Sequence, residues 1–442
     1  MSALAEKPAP RRDSRRNLAA FIGDMSSFAV GMYFMPTTTV IVGLASMLTT
    51  DKALIGIVGL TWRTFWYLPQ LLAARVIHHQ PRKWPFLFWP AQMGRQIVLL
   101  LVAWLFFTQA SNPGLTLALL IGGLAIFSSS DALASISWFD ILSRAFTPRM
   151  RSRVFAIGQL IGSLVGIAVG IAVERLLANE AWPIFTRYAV VLLCGYLALN
   201  VSGIFILFIQ ELPPDSTGHE EGEAAPRAGF ADTLRAAVQG DARFRRVLLG
   251  RGLTFLETMV SSFYVVFARA ELGLGPEAIG LFSAAYVVGS IFGVVAFGAL
   301  GERAGPRRVS QLASFLHFLA PALVVALIVL PGLAGSGLWV MFAVLGINGA
   351  LEHSLTLGYL GYVMDIATDK TRGAYIAVMN SLSGIISLTP FLGGVLLDAL
   401  AHPLGARGAY AAVFGAVAVI VLIGSLVALT IPPVSRDPAP AD

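Results

Sequence analysis

Nine ionisable side chains stand inside long apolar runs of this 442-residue sequence: Asp24, Arg63, Arg95, Asp131, Arg251, Glu257, His317, Glu352 and His353. A charge at the centre of a bilayer costs at least ~2.5–3.5 kcal/mol, so such groups face a cavity or a partner. Apolar surroundings disfavour the charged form of a carboxylate, and two facing carboxylates resist ionising together. A carboxylate placed in this way can take up and release a proton. Glu257 and Glu352 are the first candidates, with His353 as a relay or tuner and Asp131 as a further proton site. Two other readings stay open for the glutamates. They belong to a satisfied polar packing cluster, or they bind a cationic substrate. Arg63, flanked by Trp62, Trp66 and Tyr67, can hold an anionic group or stack on an aromatic ring. The alternative is a structural pair of Arg63 with Asp131 or Asp24.

Polar residues at helical spacing extend these positions into stripes. Ser261 and Tyr264 follow Glu257 at +4 and +7, and Asn348, Glu352, Thr356 and Tyr359 share a face. Ser128, Asp131 and Ser135 form another, as do Gln159 with Ser163, and Asn380 with Ser383 and Ser387. Gln159, Asn348 and Asn380 join Arg63 and its aromatic neighbours as candidate substrate ligands.

The elements that carry these stripes follow from composition. Hydrophobic residues make up 56% of the chain and charged residues 13%. So low a charged share excludes a solvated enzyme, a disordered chain and a nucleic-acid binder. Spanning helices of about 20 apolar residues are expected near 18–48, 53–76, 85–108, 114–140, 154–177, 187–210, 246–270, 276–300, 309–331, 336–364, 374–400 and 409–431. With the N-terminus inside, the inner segments hold 23 Lys and Arg against 5 in the outer loops. That bias places both termini in the cytoplasm of a cell with this chain in its inner membrane.

The expected organisation is a cytoplasmic tail (1–17), a six-helix bundle (18–211), a cytoplasmic linker with an amphipathic helix from Phe230 to Arg246 (212–243), a second bundle (244–431) and a cytoplasmic tail (432–442). The halves echo each other at an offset near 224. Ile55-Gly56-Ile57 answers Ile279-Gly280-Leu281, and Asp140-Ile141 answers Asp365-Ile366. Arg151-Ser152 answers Arg372-Gly373 after a shorter loop. A parallel repeat of this kind puts a substrate site between bundles near midplane.

The loop Gly298-Ala299-Leu300-Gly301-Glu302-Arg303-Ala304-Gly305-Pro306-Arg307-Arg308 resembles the loop signature of the major facilitator superfamily, with Glu302 in the acidic position. The first-half counterpart, from Leu68 to Lys83, lacks the glycine and the acidic residue. Asp241-Ala242-Arg243-Phe244-Arg245-Arg246 also resembles the superfamily's approach to its seventh span. The resemblance covers residues 18–431. It implies an all-α membrane protein of twelve transmembrane helices in two pseudo-symmetric six-helix bundles, the major facilitator fold, with spans 1, 4, 7 and 10 lining the cavity. Arg95 in the third span and His317 in the ninth then belong to helices expected outside, where they snorkel or pair with a neighbour.

A carboxylate at Glu302 beside Arg303, Arg307 and Arg308 could latch the halves on the inner side, with Arg151 and Arg372 in similar roles. The alternative is a basic loop that only sets topology. Gly158, Gly162, Gly166 and Gly170, spaced by four, allow close helix approach. Thr389-Pro390-Phe391-Leu392-Gly393-Gly394 resembles the end of the superfamily's antiporter signature and favours export. No nucleotide-binding loop, metal-ligand cluster or nucleophile elbow occurs. The expectation is a secondary active transporter, not an enzyme. It has no cofactor, acts as a monomer in the lipid bilayer and moves a small organic solute, with protons as the coupling ion. The alternative is a non-transporting assembly or pigment-handling factor on the same fold.

Overall fold

The computed structural model describes residues 14–78, 80, 82–212, 240–352, 354–367 and 369–433. Among them the chain is helical, with no strand. Nine helices are long and apolar enough to cross a membrane among the described residues. Such a chain satisfies its backbone within each segment, which is what lipid demands.

The first half contains α1 (Arg15–Phe34), a π-helical turn (Thr37–Ile41), α2 (Val42–Leu48), α3 (Lys52–His78), α4 (Trp84–Thr108), α5 (Pro113–Ala145), α6 (Pro148–Ala178) and α7 (Ile184–Phe208). The second half contains α8 (Ala242–Phe255), α9 (Thr258–Ser261), α10 (Tyr264–Ala270), α11 (Glu277–Ala304), α12 (Pro306–Val329), a 3-10 turn (Pro331–Ser336), α13 (Gly337–Leu351), α14 (Ser354–Ile366), α15 (Asp369–Ile386) and α16 (Thr389–Leu429). Gly405 kinks α16 with φ 72°. Glycine reaches that angle without steric cost, and the kink separates the two apolar segments expected there.

Polar residues start the helices, by accepting from N–H groups that have no partner within the first turn. The Ser14 side chain accepts from the Asn17 N–H at 3.2 Å, and Asn112 from Leu115 at 3.0 Å. Asp241 caps α8 through the Arg243 N–H at 2.7 Å. Burial pushes the Asp241 carboxyl up, but hydrogen bonds from the Arg243 side chain and backbone outweigh it and hold it below its usual value. Phe230–Gln239, the first part of the expected amphipathic linker helix, lies outside the described residues. In the signature loop, Gly305 turns the chain at φ 79° and Pro306 begins α12. The pairing suits glycine's access to positive φ and proline's fixed φ.

Four expected spans are interrupted: 18–48 at Met35–Pro36, 374–400 at Ser387–Leu388, and the two that follow. The segment 246–270 is interrupted at Leu256–Glu257 and again at Ser262–Phe263. Tighter i→i−3 bonds carry the backbone through, as from Val260 N–H to the Glu257 carbonyl at 2.9 Å. The segment 336–364 divides between Leu351 and Ser354. Glu257 and Glu352 stand at two of these breaks.

The chain forms two compact units. The first gathers the described residues of Met1–Met35, Thr61–Val169 and Asn179–His219, and the second those of Pro36–Leu60, Gly170–Ala178 and Glu220–Asp442. Within the first, α1 packs along α7, and α4 along both α5 and α7. Gly158 and Gly162 let α6 approach Met25 and Ala29 of α1. Within the second, α11 and α13 meet backbone to backbone, because a Cβ on Gly289 would collide with the Gly346 carbonyl and one on Gly349 with the Tyr286 carbonyl. The Asp398 carboxylate of α16 accepts the Lys52 and Ala53 N–H groups at 2.8 and 3.3 Å and the Lys52 ammonium at 3.1 Å. It thereby caps α3 from another helix.

Gly289→Leu is expected to force α11 from α13 and to cost ~1–3 kcal/mol as an overpacked interface. A lowered midpoint of thermal unfolding in detergent checks this, and an unchanged midpoint would refute the close approach. Asp398→Ala is expected to lose about 1 kcal/mol, the scale of a lost helix cap. The same scan, with Asp398→Asn restoring part of the loss, reads it.

Candidate functional site

Glu257 is 4% exposed and sits at the break of the α8–α10 segment. The Tyr264 hydroxyl donates to its Oε1 at 2.8 Å. The His317 imidazole faces it from α12, with Nε2 3.3 Å from Oε2. The second imidazole nitrogen, Nδ1, is buried and has no hydrogen-bond partner among the described residues. Asn348 of α13 reaches the Tyr264 hydroxyl. Three helical segments thus converge on one carboxylate, and a phenol and an imidazole stand against it. No metal-holding cluster of His, Cys, Asp or Glu forms among the described residues.

A second cluster lies wholly within the first unit. Asp24 of α1 is buried and both of its oxygens are used. Ser202 Oγ donates to Oδ1, and Trp138 Nε1 donates to Oδ2 at 2.8 Å. Arg95 of α4 is 3% exposed and donates from a terminal nitrogen to Ser202 Oγ at 2.9 Å. Ser202 therefore relays between guanidinium and carboxylate. Asp131 of α5 accepts from Trp66 Nε1 at 3.2 Å. A cavity of about 210 Å³ opens here, lined by both carboxylates, Arg95, Ser135, Trp138 and apolar side chains.

The remaining sequence candidates fall into three groups. Around the first-unit cluster, Trp62 packs on Phe127 at 5.4 Å, and its carbonyl accepts from Ser128 Oγ. Trp66 meets Tyr67 edge-on at 5.3 Å. Arg63 is half-buried on the same helix, while the Asp24 and Asp131 carboxylates take other partners. Gln159 donates to the Tyr33 hydroxyl and to Ser163 Oγ, each at 3.2 Å, in a separate polar triad.

In the second half, Glu352 is exposed, and its N–H closes the end of α13 on the Asn348 carbonyl at 3.1 Å. Asn380 is exposed. His353 and the side chain of Arg372 lie outside the described residues. Among the gating candidates, Glu302, Arg303 and Arg308 are exposed, and Glu302 makes no ion pair among the described residues. Arg307 Nε donates instead to the Ile431 carbonyl at 2.6 Å. Arg151 Nε donates to the Phe146 carbonyl at 3.0 Å, tying the end of α5.

Sequence reasoning placed Arg95 and His317 on outside helices, yet both complete the polar clusters. Their signal was present. Each is an ionisable residue deep in an apolar run, and the cost of burying it requires a partner.

The sequence model described as Major Facilitator Superfamily matches residues 247–442. The second half of the chain is thus similar to the major facilitator superfamily. None of the curated proteins matches it by sequence. Solved structures show the fold over nearly the whole chain. A bacterial metal transporter is similar at 12% identity and a TM-score of 0.63, covering 95% of this chain and 99% of that one. The nucleoside transporter NupG is similar at 13% identity and 0.61, covering 94% and 99%. A bacterial homologue of the human lysosomal transporter Spinster, inward-facing and unoccupied, is similar at 17% identity and 0.60, covering 97% and 100%. The likeness to these structures shows a shared all-helical fold.

Arg95→Met is expected to leave Asp24 buried without its counter-charge and to cost about 3 kcal/mol, the scale of one partner lost from a buried pair. Arg95→Met combined with Asp24→Asn should recover part of that loss. Additive losses in thermal unfolding would show that the two groups are not coupled.

Proposed function

We propose that the chain moves a small organic solute across the cell membrane by alternating access, driven by protons that bind at Glu257. The observation that carries this reading is the setting of Glu257. It is a buried carboxylate at a helix break, held by Tyr264 and faced by His317. Irregular backbone at membrane depth belongs where it lines a cavity, and intramembrane carboxylates next to histidine suit proton relay. His317 takes the tuning role that the sequence assigned to His353. Its Nδ1 is buried without a hydrogen-bond partner among the described residues.

Both termini are placed in the cytoplasm on the distribution of Lys and Arg. Under that orientation the Asp398 cap on α3 lies at the outer side and Arg307 at the inner side. Export is the direction favoured by the Thr389–Gly394 segment, and a monomer is the working unit.

Glu257→Gln removes the titrating group while keeping the shape. Infrared difference spectra of the purified protein are expected to show a protonated-carboxyl band on acidification, lost in Glu257→Gln. A solute found by thermal-shift screening should then accumulate in proteoliposomes under a pH gradient with the wild type only. Retained pH-driven accumulation in Glu257→Gln would overturn proton binding at this residue.

A further inference from the structure

The cavity of the first unit has a feature that proton binding at Glu257 does not use. Its fixed charges do not balance. Asp24, Asp131 and Arg95 line it together, and the charges acting on Asp131 are Arg95 and Asp24. Arg95 is committed to Asp24 through Ser202. One carboxylate oxygen of Asp131 accepts from Trp66, and the other has no partner among the described residues. With both carboxylates ionised, the lining carries one negative charge more than Arg95 can offset.

Apart from Ser135, the rest of the wall is apolar or aromatic, with Trp138, Phe28 and Phe139 among its members. The space of about 210 Å³ has room for a small organic molecule. A hard metal ion such as calcium takes six or more oxygen ligands, which this wall does not supply. An ammonium group needs one carboxylate and an aromatic face, which it does.

We infer that this cavity binds a small organic ammonium ion, with the charge on Asp131 and the carbon skeleton against Phe28, Trp138 and Phe139. The inference rests on the reading of the chain as a transporter of small solutes, and it names their chemical class. It does not depend on proton coupling at Glu257. Asp24 and Arg95 serve as positioning residues, since their mutual compensation leaves Asp131 as the anchor.

The test is calorimetric titration of the full-length protein in detergent with 2-phenylethylammonium, its neutral isostere 2-phenylethanol and the anion 3-phenylpropionate. The ammonium ion is expected to bind at least tenfold more tightly than either analogue. Asp131→Asn should weaken it at least tenfold, with little change for the alcohol. Ala134→Leu, which narrows the cavity but keeps every charge, should weaken the ammonium ion too, and it remains informative if Asp131→Asn does not fold. Equal binding of the neutral isostere, or undiminished ammonium binding in either variant, would overturn the inference. So would displacement of the ammonium ion by sodium at equal concentration, which would mark an inorganic cation site. The titration uses no proton gradient, so its failure leaves Glu257 coupling standing, and failure of that coupling leaves the binding result standing.

Discussion

Lipid offers no hydrogen-bond partner, and that constraint governs the rest of the molecule. Every backbone group inside the bilayer must be satisfied by the chain itself, and every buried charge must be answered by another side chain. The helices meet the first demand along most of their length. Where the helix breaks at Glu257, shorter-range backbone bonds take over. The break costs regularity, and it places a carboxylate, rather than an apolar side chain, at the irregular point.

The two polar clusters answer the second demand in different ways. In the first unit a permanent cation, Arg95, compensates Asp24 through a serine hydroxyl, and indole N–H groups of Trp138 and Trp66 hold one oxygen each of Asp24 and Asp131. In the second, Glu257 meets a phenol and an imidazole, neither of which is a permanent cation. One fold thereby carries two kinds of polar cluster, distinguished by whether a permanent cation answers the carboxylate.

Close packing supports both. Glycines at Gly289 and Gly349 bring α11 and α13 together, which fixes the helix carrying Asn348 beside the Glu257 cluster. Gly158 and Gly162 do the same for α6 and α1, the helix that carries Asp24. Without such approach the polar side chains of neighbouring helices would not reach hydrogen-bonding distance, and each would remain an isolated polar group in an apolar setting.

The sequence by itself determined the helical class, the positions of the apolar segments and the residues that burial makes costly. These are local properties, written in composition and in the 3.6-residue period. The glycine of the signature loop was legible for the same reason, since Gly305 adopts a backbone angle that few other residues tolerate. Pairing was decided only by tertiary structure. Asp24 with Ser202, and Glu257 with His317, join positions far apart along the chain. Their meeting depends on the rotation of each helix about its axis and on which helix lies alongside. The stripe through Asn348, Glu352 and Tyr359 illustrates the limit. Equal spacing on one helix suggested a common role, yet Asn348 reaches the Glu257 cluster, Glu352 is exposed at a break and Tyr359 is buried against Ser314. A break between Leu351 and Ser354 resets the period, and no local property of the residues announced it.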